Sequence, residues 1–496
     1  MAVTGVPAAG YTPAPKKQAL ASAYLDFANG TNDWAQQYLP DLREKEAEVF
    51  GNRTISGFLS QVGAEESMAS DQVIWTEQGR LHLSYKLVNI TQGSGGVKDV
   101  DLTFAGNSTD VDGNVVAATA HGIRPGDMLL VSDADATARM YVEGVTTAGV
   151  VQAKRYDGAN AVGSGSGEMA TGGDVSILVY GSEYSKATTG RVGANTPSFK
   201  SRTNKPIILK DKYEISGSDA SAIGWVEVTG EEGQSGYLWY LKASGDTKAR
   251  FSDYLEMSMM ESVSGAGTAP TSAGTNGIGI TGTEGLWEAL ETRGNVSNAL
   301  DNAATLAEFD LIIDELDANG AIEENMMFLD RKTSLNIDDM LAGLNGAAQG
   351  TSAANANNVA GSSYGVFNNE ADMALNLGFT GFRRGSYDFY KSDFKYLNDA
   401  ATRGLINATD ATNAIHGVMI PAGVSTVYDQ SLGKNLKRPF LHVRYRASNL
   451  ESRKYKTWTT GSVGATTSDL DAMEMHFLSE RCLVVQGANN FVLLKG

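Results

Sequence analysis

The sequence predicts an α+β protein that carries an inserted small all-β barrel. Residues 97–180 contain short alternating runs with frequent Gly and Asp and no helical periodicity. From Gly236 to Val263 the apolar residues recur at the three- and four-residue spacing that is typical of a helix. After residue 286 helical and strand patterns alternate, which predicts an α/β region. Because this region, the long helix and the all-β unit occupy separate stretches of the sequence, the chain as a whole is assigned to the α+β class. A chain of 496 residues is also long enough for about two or three domains.

The N-terminal part predicts an arm followed by an extended hairpin. Residues 1–65 form the arm, which begins with a Pro- and Ala-rich stretch. Residues 66–96 form the hairpin, because an alternating run around Trp75 and a second run at Leu81–Leu87 are separated by turn-forming residues. The arm is expected to contain short helices at Gln18–Ala28, Asp33–Phe50 and Ile55–Val62.

The inserted unit at 97–180 predicts a barrel or sandwich of about five strands. Regular spacing, turn residues between runs and alternating apolar positions all support this interpretation. The expected strands are Val100–Phe104, Asp127–Val131, Arg139–Val145, Val150–Lys154 and Val175–Tyr180.

The rest of the chain predicts three further regions. Residues 181–285 form a peripheral domain with a buried strand at Ile207–Leu209 and one long helix, which at 1.5 Å per residue spans roughly 40 Å. Residues 286–425 form an axial α/β domain, and residues 426–496 supply C-terminal strands that return to both domains. The axial elements are expected at Leu286–Arg293, Leu306–Leu316, Met326–Leu329, Ser334–Leu344 (capped by Thr333 or Ser334), Phe389–Phe394 and Val418–Pro421.

Composition excludes several classes of function. A net charge of −18 argues against a dedicated nucleic-acid binder and against docking on anionic membranes. The single Cys, Cys482, cannot form an intrachain disulfide, which favours cytoplasmic assembly. We find no apolar run of about 20 residues that could cross a membrane. The N-terminus lacks the basic-then-apolar order of a signal peptide.

No residue pattern predicts a catalytic, cofactor or metal site. Gly277–Gly282 spells GxGxxG, but the residues before it are Gly, Ala, Pro, Ser and Thr rather than the strand that a dinucleotide fold requires. Ser108–Gly113 resembles a calcium loop without its acidic first ligand, so a turn is favoured. The five His are scattered. Cys482 is interpreted as a buried strand residue, and carboxylate pairs such as Glu65–Glu66 as solvated faces or charges at helix starts.

A basic window at 434–456 is the strongest candidate for a contact surface. Leu441, Val443 and Tyr445 alternate with His442, Arg444 and Arg446, which predicts a strand with one polar face. That face is either a solvated edge, a docking surface for acidic residues of another copy, or a secondary contact with nucleic acid. The residues predicted to make inter-subunit contacts are Arg438, Arg444, Arg446, Arg453, Lys454, Trp75 and Arg80.

With its elements in this order, the chain resembles the major capsid proteins of tailed bacteriophages that have the Hong Kong 97-type fold, most closely those of the crAss-like phage group. The resemblance rests on Ser201–Ser216 (SRTNKPIILKDKYEIS), Tyr237–Glu256, Arg438–Arg446 (RPFLHVRYR) and Ser479–Val485 (SERCLVV). It implies an N-terminal arm, an extended hairpin, a peripheral domain with a spine helix and a central axial domain, with residues 97–180 as an insertion.

The resemblance also implies a structural function without enzymatic activity or cofactor. Copies would form hexamers and pentamers of an icosahedral virion shell around double-stranded DNA, assembled in the bacterial cytoplasm without sequence-specific DNA binding. A portal protein at one vertex and separate scaffold, auxiliary or head-fibre proteins would be partners. Three alternatives stay open: an encapsulin-like cargo shell, a nicotinamide-dependent oxidoreductase that uses residues 277–282, and a carbohydrate-binding surface protein suggested by residues 97–180 alone.

Overall fold

The computed structural model describes most of the chain after residue 57. The described residues are 58–59, 64–78, 82–94, 96–111, 113–163, 165, 167–191, 193, 199–218, 227–229, 235–265, 280, 282–298, 306–347, 380–410, 412–422, 424–429, 434–461 and 468–496. The arm helices predicted at Gln18–Ala28 and Asp33–Phe50 lie outside them.

Strands dominate the described part of the chain. In order they are β1 (Ala64–Met68), β2 (Val73–Gln78), β3 (Ser84–Gly93), β4 (Gly96–Thr103), β5 (Thr109–Asp110), β6 (Asp127–Ser132), β7 (Thr137–Val145), β8 (Val151–Arg155), β9 (Asp174–Ser182), β10 (Phe199–Asn204), β11 (Ile207–Ser216), β12 (Glu227–Thr229), β13 (Ser235–Tyr237), β14 (Asn295–Ser297), β15 (Glu324–Leu329), β16 (Thr380–Arg384), β17 (Tyr387–Asp393), β18 (Ile415–Pro421), β19 (Val424–Asp429), β20 (Lys434–Pro439), β21 (Leu441–Arg446), β22 (Lys456–Gly461), β23 (Ala472–Val485) and β24 (Val492–Lys495).

The described helices are α1 (Leu238–Glu261), α2 (Leu286–Arg293), α3 (Leu306–Ala318), α4 (Arg331–Ala347), α5 (Lys395–Asn398) and α6 (Arg403–Thr409), with a 3₁₀ turn at Ala488–Asn490. None of them is long and apolar enough to span a membrane. The long helix predicted from Gly236 to Val263 is confirmed as the 24-residue α1.

The chain divides into two compact units, and the unit at Thr76–Ser201 is a closed barrel. Its strands follow the order β4-β8-β7-β6-β9-β3, and pairing of β3 with β4 closes the ring, while β5 attaches to β3. Inward side chains from every strand of the ring, including Val88, Val100, Leu129, Val142 and Ile177, fill its interior. The predictions of an α+β protein and of a small β-barrel are therefore confirmed, with six strands in the closed ring.

The sixth barrel strand corrects the predicted hairpin. The two runs at residues 73–78 and 84–93 are both strands, but β2 pairs with β10, whereas β3 pairs with β4, β5 and β9. Alternation identifies a strand without identifying its partner, which is chosen by burial. Val88 and Ile90 are fully buried in the barrel core, and this burial holds β3 in the ring.

The other unit, Met1–Trp75 with Arg202–Gly496, contains two larger sheets. The first has the order β1-β21-β23-β11, with β22 also paired to β23. Its longest ladder joins β11 and β23 in antiparallel register from Ile207↔Arg481 to Ser216↔Ala472. Helix α1 covers one face, because Phe251 and Leu255 pack against Phe477.

The second sheet has six strands in the order β14-β24-β18-β15-β17-β16 and is covered on both faces. On β15, Phe328 faces a core shared with α2, whereas Met327 and Leu329 face a core shared with α3 and α4. The same alternation on β24 places Leu493 in the first core and Val492 and Leu494 in the second. Because successive side chains of a strand point to opposite faces of the sheet, each of these strands contributes to two apolar cores.

Helix α4 begins one turn earlier than the sequence predicts. Asp330, the residue after β15, accepts a hydrogen bond from the Thr333 amide at 2.6 Å, so Asp330 and not Thr333 or Ser334 caps the helix. His416 Nδ1 lies 3.0 Å from the other carboxylate oxygen. Burial acts to raise the pKa of Asp330, but the bonds from His416 and Thr333 hold it below its ordinary value.

Replacing Leu493 with Ala is expected to lower the free energy of unfolding by about 2–5 kcal/mol, because the side chain is fully buried and the change leaves a cavity. Chemical denaturation followed by circular dichroism measures this loss. The matched control is Leu311→Ala on α3, where the side chain is 67% exposed and a change below about 1 kcal/mol is expected. Equal losses for the two variants would contradict the assigned core.

Removing the whole barrel unit, Thr76–Ser201, and joining its ends with a short Gly/Ser bridge is expected to leave a folded remainder, because the barrel has its own core. A shorter deletion of residues 97–180 leaves β3 without its partners and is expected to expose Val88 and Ile90 and cause aggregation. Size-exclusion chromatography and thermal melting compare the two variants. Loss of cooperative melting in the first variant would show that the remainder needs the barrel.

Candidate inter-subunit surface

The five-stranded sheet gathers the cations of the predicted contact window at one edge. Arg444 and Arg446 lie on β21, and Arg453 and Lys454 lie in the segment that leads into β22. We call these four residues the basic surface. A β-bridge between Ala447 and Ser452 folds the connecting segment back, and the Arg453 amide donates to the Arg446 carbonyl at 2.8 Å. The backbone therefore brings together cations that the sequence places in two separate groups.

Strand β1 and Asp71, three residues after its end, supply acidic partners for this surface from the same chain. It pairs in parallel with β21, with Glu66 opposite Arg444 and Met68 opposite Arg446. The resulting ion pairs join Arg444 Nη2 to Glu66 Oε2 at 2.8 Å, Lys454 to Glu65, and Arg446 to Asp71. The basic surface is thus largely neutralised within the chain, which corrects the interpretation of Glu65–Glu66 as solvated charges.

Glu480 on β23, at the centre of the sheet, pairs with Arg453 and also with Arg446. Its carboxylate lies 2.6 Å from Arg453 Nε and 3.3 Å from Arg446 Nη1, and its side chain is only 8% exposed. The neighbouring Arg481 is buried and donates to the Lys454 carbonyl at 3.0 Å and to Ser479 Oγ at 2.9 Å. Burial lowers the pKa of its guanidinium. Through these contacts the basic surface stabilises the folded state of the unit to which it belongs.

Two residues to which the sequence assigns an accessible position, His442 and Trp75, are buried. His442 is 1% exposed, so it does not share an accessible polar face with Arg444. Trp75 is 6% exposed and its ring lies 5.8 Å below the Arg293 guanidinium, which places it in the unit's own packing. Cys482 is a buried strand residue, as the sequence predicts, and burial raises the pKa of its thiol to about 12.

Two predicted contact residues belong to other parts of the chain. Arg438 lies on β20, which pairs only with β19 among the described residues. Arg80 lies outside the described residues. Inter-subunit contact by either residue stays a prediction.

The described residues contain no cluster suited to a metal ion, since no three His, Cys, Asp or Glu side chains converge there. The glycine motif at residues 277–282 falls mostly outside the described chain. Only Ile280 and Gly282 of that motif are described. Helix α2 follows at Leu286, with Gly285 as its N-cap residue.

No protein-family model and no curated protein matches this chain. Among solved structures, a chain described as the capsid of a native GTA particle is 12% identical with a TM-score of 0.36, covering 95% of this chain and 98% of that one. A chain from Microbacterium phage Oxtober96 is 7% identical with a TM-score of 0.36, covering 95% and 99%. A chain from Mycobacterium phage Adephagia is 6% identical with a TM-score of 0.34, covering 94% and 97%.

Reversing the charge of Arg444 is expected to destabilise the folded subunit. Arg444→Glu places a carboxylate beside Glu66, and we expect a loss of about 1–3 kcal/mol, between the values for exposed and buried pairs. The double variant Arg444→Glu/Glu66→Arg restores the attraction and is expected to recover most of the loss in a denaturation series.

The control for this cycle is Lys456→Glu. Its ion pair with Glu451 joins two side chains that are 41% and 44% exposed, so a change below about 1 kcal/mol is expected. If Arg444→Glu leaves unfolding unchanged while the subunit stays monomeric, the ion pair does not stabilise the fold and Arg444 becomes available for another subunit.

Proposed function

We propose that this chain is a structural shell subunit, the major capsid protein of a tailed bacteriophage with the Hong Kong 97-type fold. On this proposal, hexamers and pentamers of the chain enclose double-stranded DNA in an icosahedral head. A portal protein occupies one vertex, and scaffold, auxiliary or head-fibre proteins are separate chains. The crAss-like phage group is proposed from the sequence resemblance alone.

The observation that carries the proposal is the order and pairing of elements around helix α1. The 24-residue helix follows the long strand β11 and packs on the β11–β23 ladder, and the six-stranded α/β sheet comes next along the chain. This is the succession of peripheral strands, spine helix and axial domain that the resemblance implies. In this proposal the barrel unit, Thr76–Ser201, is the inserted domain.

A cationic ribbon gives the proposal a specific contact element. Strands β19 and β20 pair over six residues, from Val424↔Pro439 to Asp429↔Lys434, and join neither large sheet in the described part of the chain. A two-stranded ribbon is marginally stable by itself in water. The sequence of β20 carries Lys434, Lys437 and Arg438 in a chain of net charge −18. We therefore propose that this ribbon docks on an acidic surface of a neighbouring copy.

Electron microscopy of the purified protein at low and high salt tests the shell function. Closed shells, rings or sheets are expected at low salt, with weaker assembly at high salt because exposed charges are screened. A particle that stays monomeric or dimeric at every salt concentration would contradict the proposal. Nucleic acid inside shells formed in cells separates a DNA-filled head from an encapsulin-like container, which would instead hold protein cargo.

Two charge reversals then separate contact from folding. Arg438→Glu is expected to reduce shell yield at least about tenfold with unchanged subunit stability, because the ribbon's proposed role is intermolecular. Arg444→Glu is expected to reduce subunit stability first. Light scattering measures assembly and denaturation measures stability on the same preparations. Normal assembly by Arg438→Glu would contradict the proposed contact of the ribbon. The shell function would then be tested by electron microscopy alone.

A further inference from the structure

The outer wall of the barrel carries an aromatic face that its core does not require. Interior packing uses alternate residues of strands β6 to β9, which leaves the intervening side chains outside. On β9 the outward residues include Tyr180 and Leu178, which are 47% and 40% exposed. Tyr156, the residue after β8, is 48% exposed. We call the group of Tyr141, Tyr156, Tyr180, Met128, Leu130 and Leu178 the tyrosine face.

Strand register makes the tyrosine face contiguous. Leu130 lies opposite Leu178, and Met128 lies opposite both Gly181 and Tyr141. The Tyr141 and Tyr156 rings meet edge to face with centroids 6.2 Å apart. The face therefore crosses three neighbouring strands, β7, β6 and β9, and includes Tyr156, which directly follows β8. Exposed apolar groups that cluster in this way mark binding surfaces more often than isolated ones do.

The rim of the face fixes ring orientation and supplies polar groups. Tyr156 Oη donates to Glu183 Oε2 at 2.6 Å, and the Tyr156 amide donates to the Arg139 carbonyl at 3.2 Å. Burial and the Glu183 carboxylate raise the pKa of Tyr156, so its hydroxyl stays protonated. A carboxylate and a phenol thus border the rings. Arg139 is exposed on β7 and lies opposite Leu130, so it adds a cation to the same outer surface.

The charges and topology of the barrel exclude several kinds of ligand. A closed ring leaves no free edge for strand addition by an extended peptide. Anionic ligands such as nucleic acid meet carboxylates at the rim, and the nearby Lys154 is already paired with Asp99 at 3.2 Å and with Glu143 at 3.8 Å. A neutral ligand with apolar faces and many hydroxyl groups can pack against the tyrosine rings and form hydrogen bonds with the polar groups at the rim.

We propose that the tyrosine face binds a neutral polysaccharide. Sugar rings would lie with their C–H faces against Tyr156 and Tyr180, and their hydroxyl groups would hydrogen-bond to Glu183 and Arg139. Because the face belongs to the barrel unit, this binding does not depend on shell formation. A subunit that never assembles still carries the site.

Saturation-transfer NMR with the full-length chain tests the site. The probes are short neutral oligosaccharides of hexoses and of N-acetylhexosamines, and titration calorimetry follows for those that bind. The double variant Tyr156→Ala/Tyr180→Ala is expected to weaken binding about tenfold or more. Tyr156→Phe keeps the ring and loses one hydrogen bond, so a change of about threefold is expected.

Val115→Ala is the control, because Val115 is 65% exposed in the same unit and lies outside the tyrosine face. Unchanged melting temperatures show that the variants fold. Absence of binding to every probe, or equal binding by wild type and the double variant, overturns the proposal. Concentration-dependent self-association that the double variant abolishes would assign the face to a second copy of the chain and also overturn it.

Discussion

The unit outside the barrel depends on one strand, β23. Its fourteen residues pair with β11, β21 and β22, and from Phe477 to Val485 every residue is buried. Alternate side chains of this strand reach the core under α1 and the core shared with α2. The chain then turns at Ala488–Asn490 and enters the six-stranded sheet as β24. The last part of the sequence thus joins both sheets.

The strand also explains why the basic surface belongs to the fold. Four cations gathered beside β21 would repel one another, and the structure offsets that repulsion with Glu480 from β23 and with acidic residues of β1. Strand β1 has little apolar anchoring, since Met68 is its buried side chain among those described. Parallel backbone pairing and ion pairs therefore hold it. Ion pairs at such an edge are screened by salt, so the pairing of β1 is expected to weaken as the salt concentration rises.

The two proposed functions, assembly and surface recognition, belong to different parts of this protein. The proposed intermolecular ribbon, β19–β20, belongs to the unit that contains both large sheets, and the tyrosine face belongs to the barrel. The barrel has a complete core and a closed hydrogen-bond ring, so its outer residues are free to serve binding without a cost to folding.

The sequence alone determined which segments are helices and strands, because periodicity is a local property. It located α1 and α2, placed five barrel strands to within a few residues, and identified Cys482 as buried. Tertiary structure decided which strands pair and which charges meet. Strand β3 entered the barrel because its apolar residues are buried there, and Asp71 meets Arg446 although the two are 375 positions apart. Alternation defines two faces of a strand, but the neighbour on each side is selected by non-local burial and charge, which no local pattern records.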